Sequence, residues 1–142
     1  MTRSSVSRWV ALGLAGLVAV AAGWSLLNKY STPRRYAEFL RPAQRFLQAA
    51  LDRDSIAVSL LSSTQEAATW ALTTGRENPL LLRTLLDRLG VVDGRQAGEN
   101  TLVLFRSANF RNCSTVPLAL TFRSSAAAPL VAEAIVQCPL DR

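Results

Sequence analysis

The stretch PLLLRTLLDRLGVVDGRQAGENTLVLFRS, residues 79–107, decides the fold, because the spacing of its apolar residues changes at Gly90. Before Gly90, leucines recur every three or four residues, which predicts a helix over residues 79–89 that Gly90 ends. After Gly90 the spacing shortens to two, which is typical of strands and predicts them over residues 91–95 and 101–107. The change predicts helices on the amino-terminal side and a sheet on the other.

Two more strands are predicted over residues 115–123 and 129–138, separated by a turn over residues 124–128. Short turns make consecutive strands antiparallel neighbours. The sequence therefore predicts an α+β fold class, with about three helices followed by an antiparallel sheet of about four strands.

The sequence of the helical half also contains signals that start, bend and end helices. Apolar residues recur at three- and four-residue spacing over residues 36–51, which predicts one buried stripe, and Pro42 predicts a kink or break near Arg41. A helical turn or two is expected over residues 56–61. Ser63 and Glu66 have the spacing of a capping box, opening a helix that reaches Thr74 and ends at Gly75 as its cap.

Residues 9–27, WVALGLAGLVAVAAGWSLL, contain no charge over nineteen positions. At 1.5 Å per residue such a helix covers roughly 28 Å, close to the thickness of bilayer hydrocarbon. We therefore predict a transmembrane signal anchor at residues 9–27, preceded by a cytoplasmic tail at residues 1–8. A joint at residues 28–32 then leads to an extracytoplasmic domain at residues 33–142.

The flanks of this segment suit a membrane interface, with aromatic rings near both ends and basic residues beyond: Trp9, Trp24, Tyr30, Lys29, Arg34 and Arg35. A cleaved signal peptide is the alternative, since Ala19-Val20-Ala21 fits a cleavage site. The apolar run continues past that site to Leu27, which favours retention. If the segment is a signal peptide and is cleaved, the protein is secreted.

Basic residues lie on both sides of the segment, so charge does not decide its orientation. Two cysteines in the predicted domain suit an oxidising compartment. We therefore expect a single-pass membrane protein with a cytoplasmic amino terminus and an extracytoplasmic domain.

One face of the predicted span carries small residues at every fourth position: Ala11, Ala15, Ala19 and Gly23. Small side chains let another membrane helix approach closely, which predicts a helix-packing surface. The abundance of alanine and glycine in the span explains the same pattern without a partner.

The net charge of +6 is concentrated at the flanks of the apolar segment. From residue 31 onward thirteen Arg oppose ten Asp or Glu, which leaves the domain at about +3. This distribution favours contact with lipid headgroups over nucleic acid, for which no motif is present. We expect the lipid bilayer and other membrane protein subunits as partners.

The two cysteines, Cys113 and Cys138, lie at the outer ends of the last predicted hairpin. A disulfide between them would stabilise the domain by about 3 kcal/mol on a chain-entropy estimate. Pairing Phe122 with Leu130 aligns Cys138 one residue away from Cys113, so a bulge near Pro117 is expected. Two free buried thiols, or a redox or metal role, are the alternatives.

The sequence has no histidine, which removes the commonest general base and the usual catalytic zinc sites. No nucleotide or cofactor motif is present, so we expect no cofactor and no enzyme activity. Asp52 and Asp54 fit solvated turn and capping positions. Glu133 is a candidate acid or base only if it faces a pocket, and strand alternation favours an outward position. Trp70 fits the core.

The segment AQRFLQAALDRDSIAVSLLSS, followed by a leucine-rich helix ending in RLG and then an antiparallel sheet, resembles the nuclear-transport-factor-like, or cystatin-like, α+β cone superfamily. The resemblance covers about residues 40–138 and implies a curved sheet around helices, with a cavity that some members use for ligands or catalysis. Family enzymes place Asp or His in that cavity. Here His is absent, and the one Asp in a predicted strand is Asp93.

An anchor ahead of such a domain also resembles the accessory or assembly subunits of bacterial envelope complexes, which implies a location in the bacterial inner membrane with the domain periplasmic or extracellular. The leading hypothesis is a membrane-anchored, non-catalytic interaction domain that contacts its partner through the span and the sheet or helix surface. A ligand-binding or enzymatic pocket in the cone is the alternative from another class.

Overall fold

In the computed structural model the described residues are 33–108, 110 and 116–138. The predicted tail, transmembrane helix and joint, residues 1–32, lie outside them, so those predictions stay predictions. No helix in the described ranges is long and apolar enough to cross a membrane. The described part of the chain is α+β, with the helices first and the sheet second. The prediction of helices before Gly90 and strands after it is therefore confirmed.

A short 3₁₀ helix, Ala37–Phe39, leads into α1, Leu40–Leu51. Pro42 lies in the first turn of α1, where its missing N–H has no helical acceptor in any case. The chain departs from α-helical geometry at the 3₁₀ helix. This departure lies a few residues before Arg41, where the kink or break is predicted. The predicted apolar stripe is confirmed, since it supplies the buried face of α1: Ala43, Phe46, Leu47 and Ala50.

Three helices follow: α2, Ser55–Leu61, α3, Gln65–Glu77, and α4, Pro79–Leu86. The described residues thus hold four α-helices where about three are predicted, because residues 56–61 form a full helix. Each of the three begins at a polar side chain that accepts a backbone N–H three residues on; these caps are Asp54, Thr64 and Asn78.

The predicted capping box at Ser63 is wrong by one residue. Thr64 is the cap of α3, and its hydroxyl oxygen accepts from the Ala67 N–H at 3.2 Å. Ser63 instead uses its own backbone N–H, which donates to the carbonyl of Val131 at 2.8 Å. A contact distant in sequence therefore fixes which hydroxyl caps the helix.

The prediction that Gly75 caps α3 is wrong, because the helix continues through it to Glu77. A Cβ on Gly75 would lie 1.9 Å from the carbonyl oxygen of Ala50 in α1. The glycine is needed because two helix backbones approach each other closely at this point.

The fourth helix ends at Leu86, three residues before the predicted end at Leu89. The Ser107 hydroxyl lies within hydrogen-bond distance of the Thr84 and Asp87 carbonyls, so its one proton is shared between two acceptors at the end of α4. Arg88 then adopts a positive φ of 50°, which turns the chain toward the first strand.

The sheet consists of β1, Gly90–Ala97, β2, Asn100–Arg106, β3, Leu118–Arg123, and β4, Leu130–Val136. Its strand order is β1-β2-β3-β4, with every neighbouring pair antiparallel. The predicted four-stranded antiparallel arrangement is confirmed in the described residues.

The predicted register of the last hairpin is wrong. Phe122 pairs with Val131 instead of Leu130, and the register shifts between Thr121 and Phe122, which leaves Ala132 as the bulge residue. The bulge that is expected near Pro117 therefore lies at Ala132, closer to the turn between β3 and β4. The Ala132 carbonyl accepts from the Thr64 hydroxyl, so the bulge coincides with the start of α3.

The core lies between the helices and the inward face of the sheet. Phe122 is its centre, with ring centroids 5.0 Å from Phe39 and 6.4 Å from Phe105. Phe46 stacks on Trp70 at 6.1 Å, so the prediction that Trp70 belongs to the core is confirmed. These aromatic rings fill the space between the two layers.

Candidate interaction surface

The side of the sheet that faces away from the helices is here called the outer face. Alternation along the strands places eight of its residues in two central cross-strand rows. One row is Asp93, Leu104, Ala119 and Ile135, and the other is Arg95, Leu102, Thr121 and Glu133. Half of these side chains are apolar, on a face that antiparallel sheets usually keep polar when it meets water.

The apolar residues of the outer face form one strip across β2, β3 and β4. Leu102 is 36% exposed and Ile135 is 45% exposed. Ala119 is buried although it lies outside the helix-side core, because Leu104 and Ile135 are paired on either side of it. The strip is therefore a small continuous hydrophobic surface, unlike a single exposed leucine.

The charges within these two rows lie on the edge strands of the sheet. Arg95 on β1 and Glu133 on β4 end the same row, and both are exposed. Asp93 ends the other row on β1, and its carboxylate accepts from the Gly94 N–H at 2.7 Å. The row through Leu102 and Thr121 is therefore positive at one end and negative at the other.

The helix side also exposes apolar residues: Ile56 at 74%, Leu60 at 72% and Leu80 at 65%. Ile56 and Leu60 are four residues apart on α2, whose Val58 is fully buried on the opposite side. These two side chains form a pair on one helix, and Leu80 is exposed on α4. The outer face is the better candidate because its apolar residues are contiguous across three paired strands.

The carboxylates considered as acids or bases occupy ordinary structural positions. Asp54 caps α2, and Asp52 accepts from Gln48 at 3.0 Å, which confirms the turn and capping interpretation. Glu133 is exposed on the outer face, as strand alternation predicts, and Asp93 is exposed as well. In the described ranges no three Cys, Asp or Glu side chains are grouped to hold a metal ion.

Cys138 is disulfide-bonded. Cys113 lies outside the described residues, so the pairing of Cys138 with Cys113 stays a prediction. The described part of the chain has no free cysteine.

The predicted interface residues Arg34 and Arg35 are both exposed, and the Arg35 guanidinium lies 6.0 Å from the centroid of the Tyr36 ring. Tyr36 in turn packs on β1, where a Cβ at Gly94 would come within 2.6 Å of its ring. Arg35 is therefore placed near a ring that packs on the sheet. The other predicted interface and span residues lie outside the described residues: Trp9, Trp24, Lys29, Tyr30, Ala11, Ala15, Ala19 and Gly23.

Sequence reasoning did not single out Leu102, Leu104 and Ile135. The pattern that indicates Leu102 and Leu104 is the continuous apolar run LVLF at residues 102–105, where a strand covered on one face alone would alternate. An apolar residue at every position indicates a strand that is covered, or needs covering, on both faces.

Comparison with family models, curated proteins and solved structures finds no match to this chain. The resemblance to the cystatin-like cone therefore stays a prediction, and function is argued from the surface itself.

Proposed function

We propose that this chain is a membrane-anchored, non-catalytic interaction domain that serves as an accessory or assembly subunit of a bacterial membrane protein complex. The observation that carries the proposal is the apolar strip on the outer face, with Leu102 and Ile135 exposed on the side of the sheet away from the helices. Contiguous exposed apolar surface rimmed by charge is typical of a protein–protein contact.

The chain between the predicted span and the described domain supports the same proposal. Six residue steps separate Leu27 from Pro33, which at full extension is about 21 Å. The domain would therefore stay at the membrane surface, with Arg34 and Arg35 near the headgroups. The proposed location is the inner membrane, with the amino terminus cytoplasmic and the domain periplasmic or extracellular.

A ligand-binding or catalytic pocket has less support. Phe39, Phe105 and Phe122 fill the region between α1 and the sheet where a cone would hold its ligand. Glu133, the carboxylate considered for such a pocket, is exposed on the other side of the sheet.

The proposal is tested by retrieving partners of the tagged full-length chain from membranes extracted in mild detergent. Changing Leu102 and Ile135 together to Asp places charge in the strip, and we expect the amount of co-purifying protein to fall about tenfold or more. The measurement is quantitative mass spectrometry of the retained proteins, whether an unlike subunit or an untagged copy. Intact mass of the chain reports in the same experiment whether residues 1–32 are retained.

The matched control changes Ile56 and Leu60 to Asp, since these two are at least as exposed but lie on α2. We expect this control to retain its partners. Equal loss or equal retention in the two variants, or a wild-type chain that retrieves no protein, would contradict the proposal.

A further inference from the structure

We infer that the partner of the outer face is a second copy of this chain, packed sheet against sheet about a two-fold axis parallel to the strands. The inference rests on the proposed function, because it names the partner of the surface proposed there. The charges and the side-chain sizes of the two cross-strand rows support it.

The charges at the two edges of the outer face complement each other under this rotation. A two-fold axis parallel to the strands sets β1 of one copy over β4 of the other. Arg95 then faces Glu133 of the second copy, since both belong to the same cross-strand row. Symmetry repeats the contact, so one pair of residues supplies two ion pairs.

Side-chain size matches as well. The same rotation sets Leu104 over Ala119 of the second copy and Leu102 over Thr121. A large residue opposite a small one lets two flat faces interdigitate at an even spacing.

The other axis in the plane of the interface, perpendicular to the strands, fits less well. It also gives Arg95 an acidic partner, Asp93 of the second copy, so charge alone does not choose between the two axes. It sets Leu102 against Leu104 and Ala119 against Thr121, which overfills the β2 side and leaves a gap at β3. Size therefore selects the axis parallel to the strands.

The remaining charged groups near the outer face lie at its rim. Asp93 faces Ile135 of the second copy at the edge, where the exposed carboxylate keeps both water and its bond to the Gly94 N–H. Arg123 is 3.6 Å from Glu99 at the end of the sheet that carries the β1–β2 and β3–β4 turns, and Arg106 is exposed at the other end. None of these groups is placed at the centre of the interface.

The area of the face indicates a small contact. Four strands at about 4.8 Å spacing and about seven residues of length give a face of roughly 450 Å² per copy. A standard stable interface buries about 800 Å² per partner, so the pair is weak in free solution. Two chains anchored in one membrane reach a high local concentration, which makes such a contact effective.

The test uses full-length chains with two different tags, co-expressed, extracted in mild detergent at low salt and purified through one tag. Arg95→Glu in both copies places Glu against Glu133, and Glu133→Arg in both copies places Arg against Arg95. We expect either change to lower recovery of the second copy about tenfold, because two attractive contacts become repulsive. Co-expressing an Arg95→Glu chain with a Glu133→Arg chain restores both pairs, and recovery should return to within about twofold of wild type.

Arg76→Glu and Glu66→Arg on α3 are the matched controls, since both residues are exposed on the helix side and should leave recovery unchanged. Thermal unfolding of each variant establishes that the fold is intact. Unchanged recovery in the single variants, no rescue in the mixed pair, or loss on Asp93→Arg with none on Glu133→Arg would overturn the inference. A wild-type chain that retrieves an unlike subunit but no second copy overturns this inference alone. Retrieval of neither would contradict the proposed function.

Discussion

Gly75 is the residue on which the approach of α3 to α1 depends. A methyl group there would lie 1.9 Å from the Ala50 carbonyl oxygen, so the two helices would have to separate. Alanine favours helix by about 1 kcal/mol over glycine. Overpacking against a backbone costs about 1–3 kcal/mol or more. We therefore expect Gly75→Ala to lower the free energy of unfolding by about 1–2 kcal/mol, measured by urea unfolding followed by circular dichroism.

Gly90→Ala is the control for this prediction. A Cβ at Gly90 meets no atom within 4 Å, so the free energy of unfolding should change by less than about 0.5 kcal/mol. If Gly75→Ala were as stable as Gly90→Ala, the close approach of the two helices would be the wrong explanation for Gly75.

The role of Gly75 could not be predicted from the sequence. A glycine near the expected end of an amphipathic helix is equally consistent with a cap and with a close contact, because its neighbour lies 25 positions away in the chain. Solvent-facing residues were easier to place: Glu133 followed from strand alternation, and Asp54 followed from its turn.

At the scale of elements, Thr64 joins α3 to the last strand. Its hydroxyl oxygen accepts from the Ala67 N–H, and its hydroxyl donates to the carbonyl of Ala132, the bulge residue of β4. Losing the side chain removes a helix cap and a contact between layers together. The bulge keeps Val131 and Ala134 both on the inward face, so this hydroxyl lies where the register is set.

We expect Thr64→Ala to lower the free energy of unfolding by about 1–2 kcal/mol, the usual cost of losing a cap together with a second hydrogen bond. Ser63→Ala should cost less than about 0.5 kcal/mol, because the Ser63 hydroxyl lies 3.4 Å from its acceptor, the Val131 carbonyl. Chemical unfolding of the two variants side by side is the measurement. A larger loss for Ser63→Ala would restore the capping box predicted from the sequence.

Element type and order could be predicted because periodicity reports directly on which face is buried. The stripe of α1, the change of spacing at Gly90 and the four strands all follow from that pattern. The end of α4 and the register of β4 could not be predicted, since they depend on Ser107 and Thr64 bonding to distant carbonyls. Hydrogen bonds between remote segments leave no local pattern in the sequence.

At the scale of the whole molecule, a predicted membrane anchor precedes an α+β domain whose sheet packs on the helices with one side, while no described helix covers the other side. The fold class was predictable, and so was the outward position of the carboxylate candidates. The outer face was not singled out, although the apolar run at residues 102–105 carries the pattern that indicates it. Alternation assigns a strand its inward face but does not say what the other face contacts.

The most direct test of the account is photo-crosslinking of the full-length chain in its own membrane. A photoreactive amino acid at Ile135, on the outer face, is compared with the same amino acid at Leu80, which is more exposed but lies on α4. The account predicts that irradiation gives a strong protein adduct from position 135 and little from position 80. Equal adducts from both positions, or no protein adduct from position 135, would contradict it.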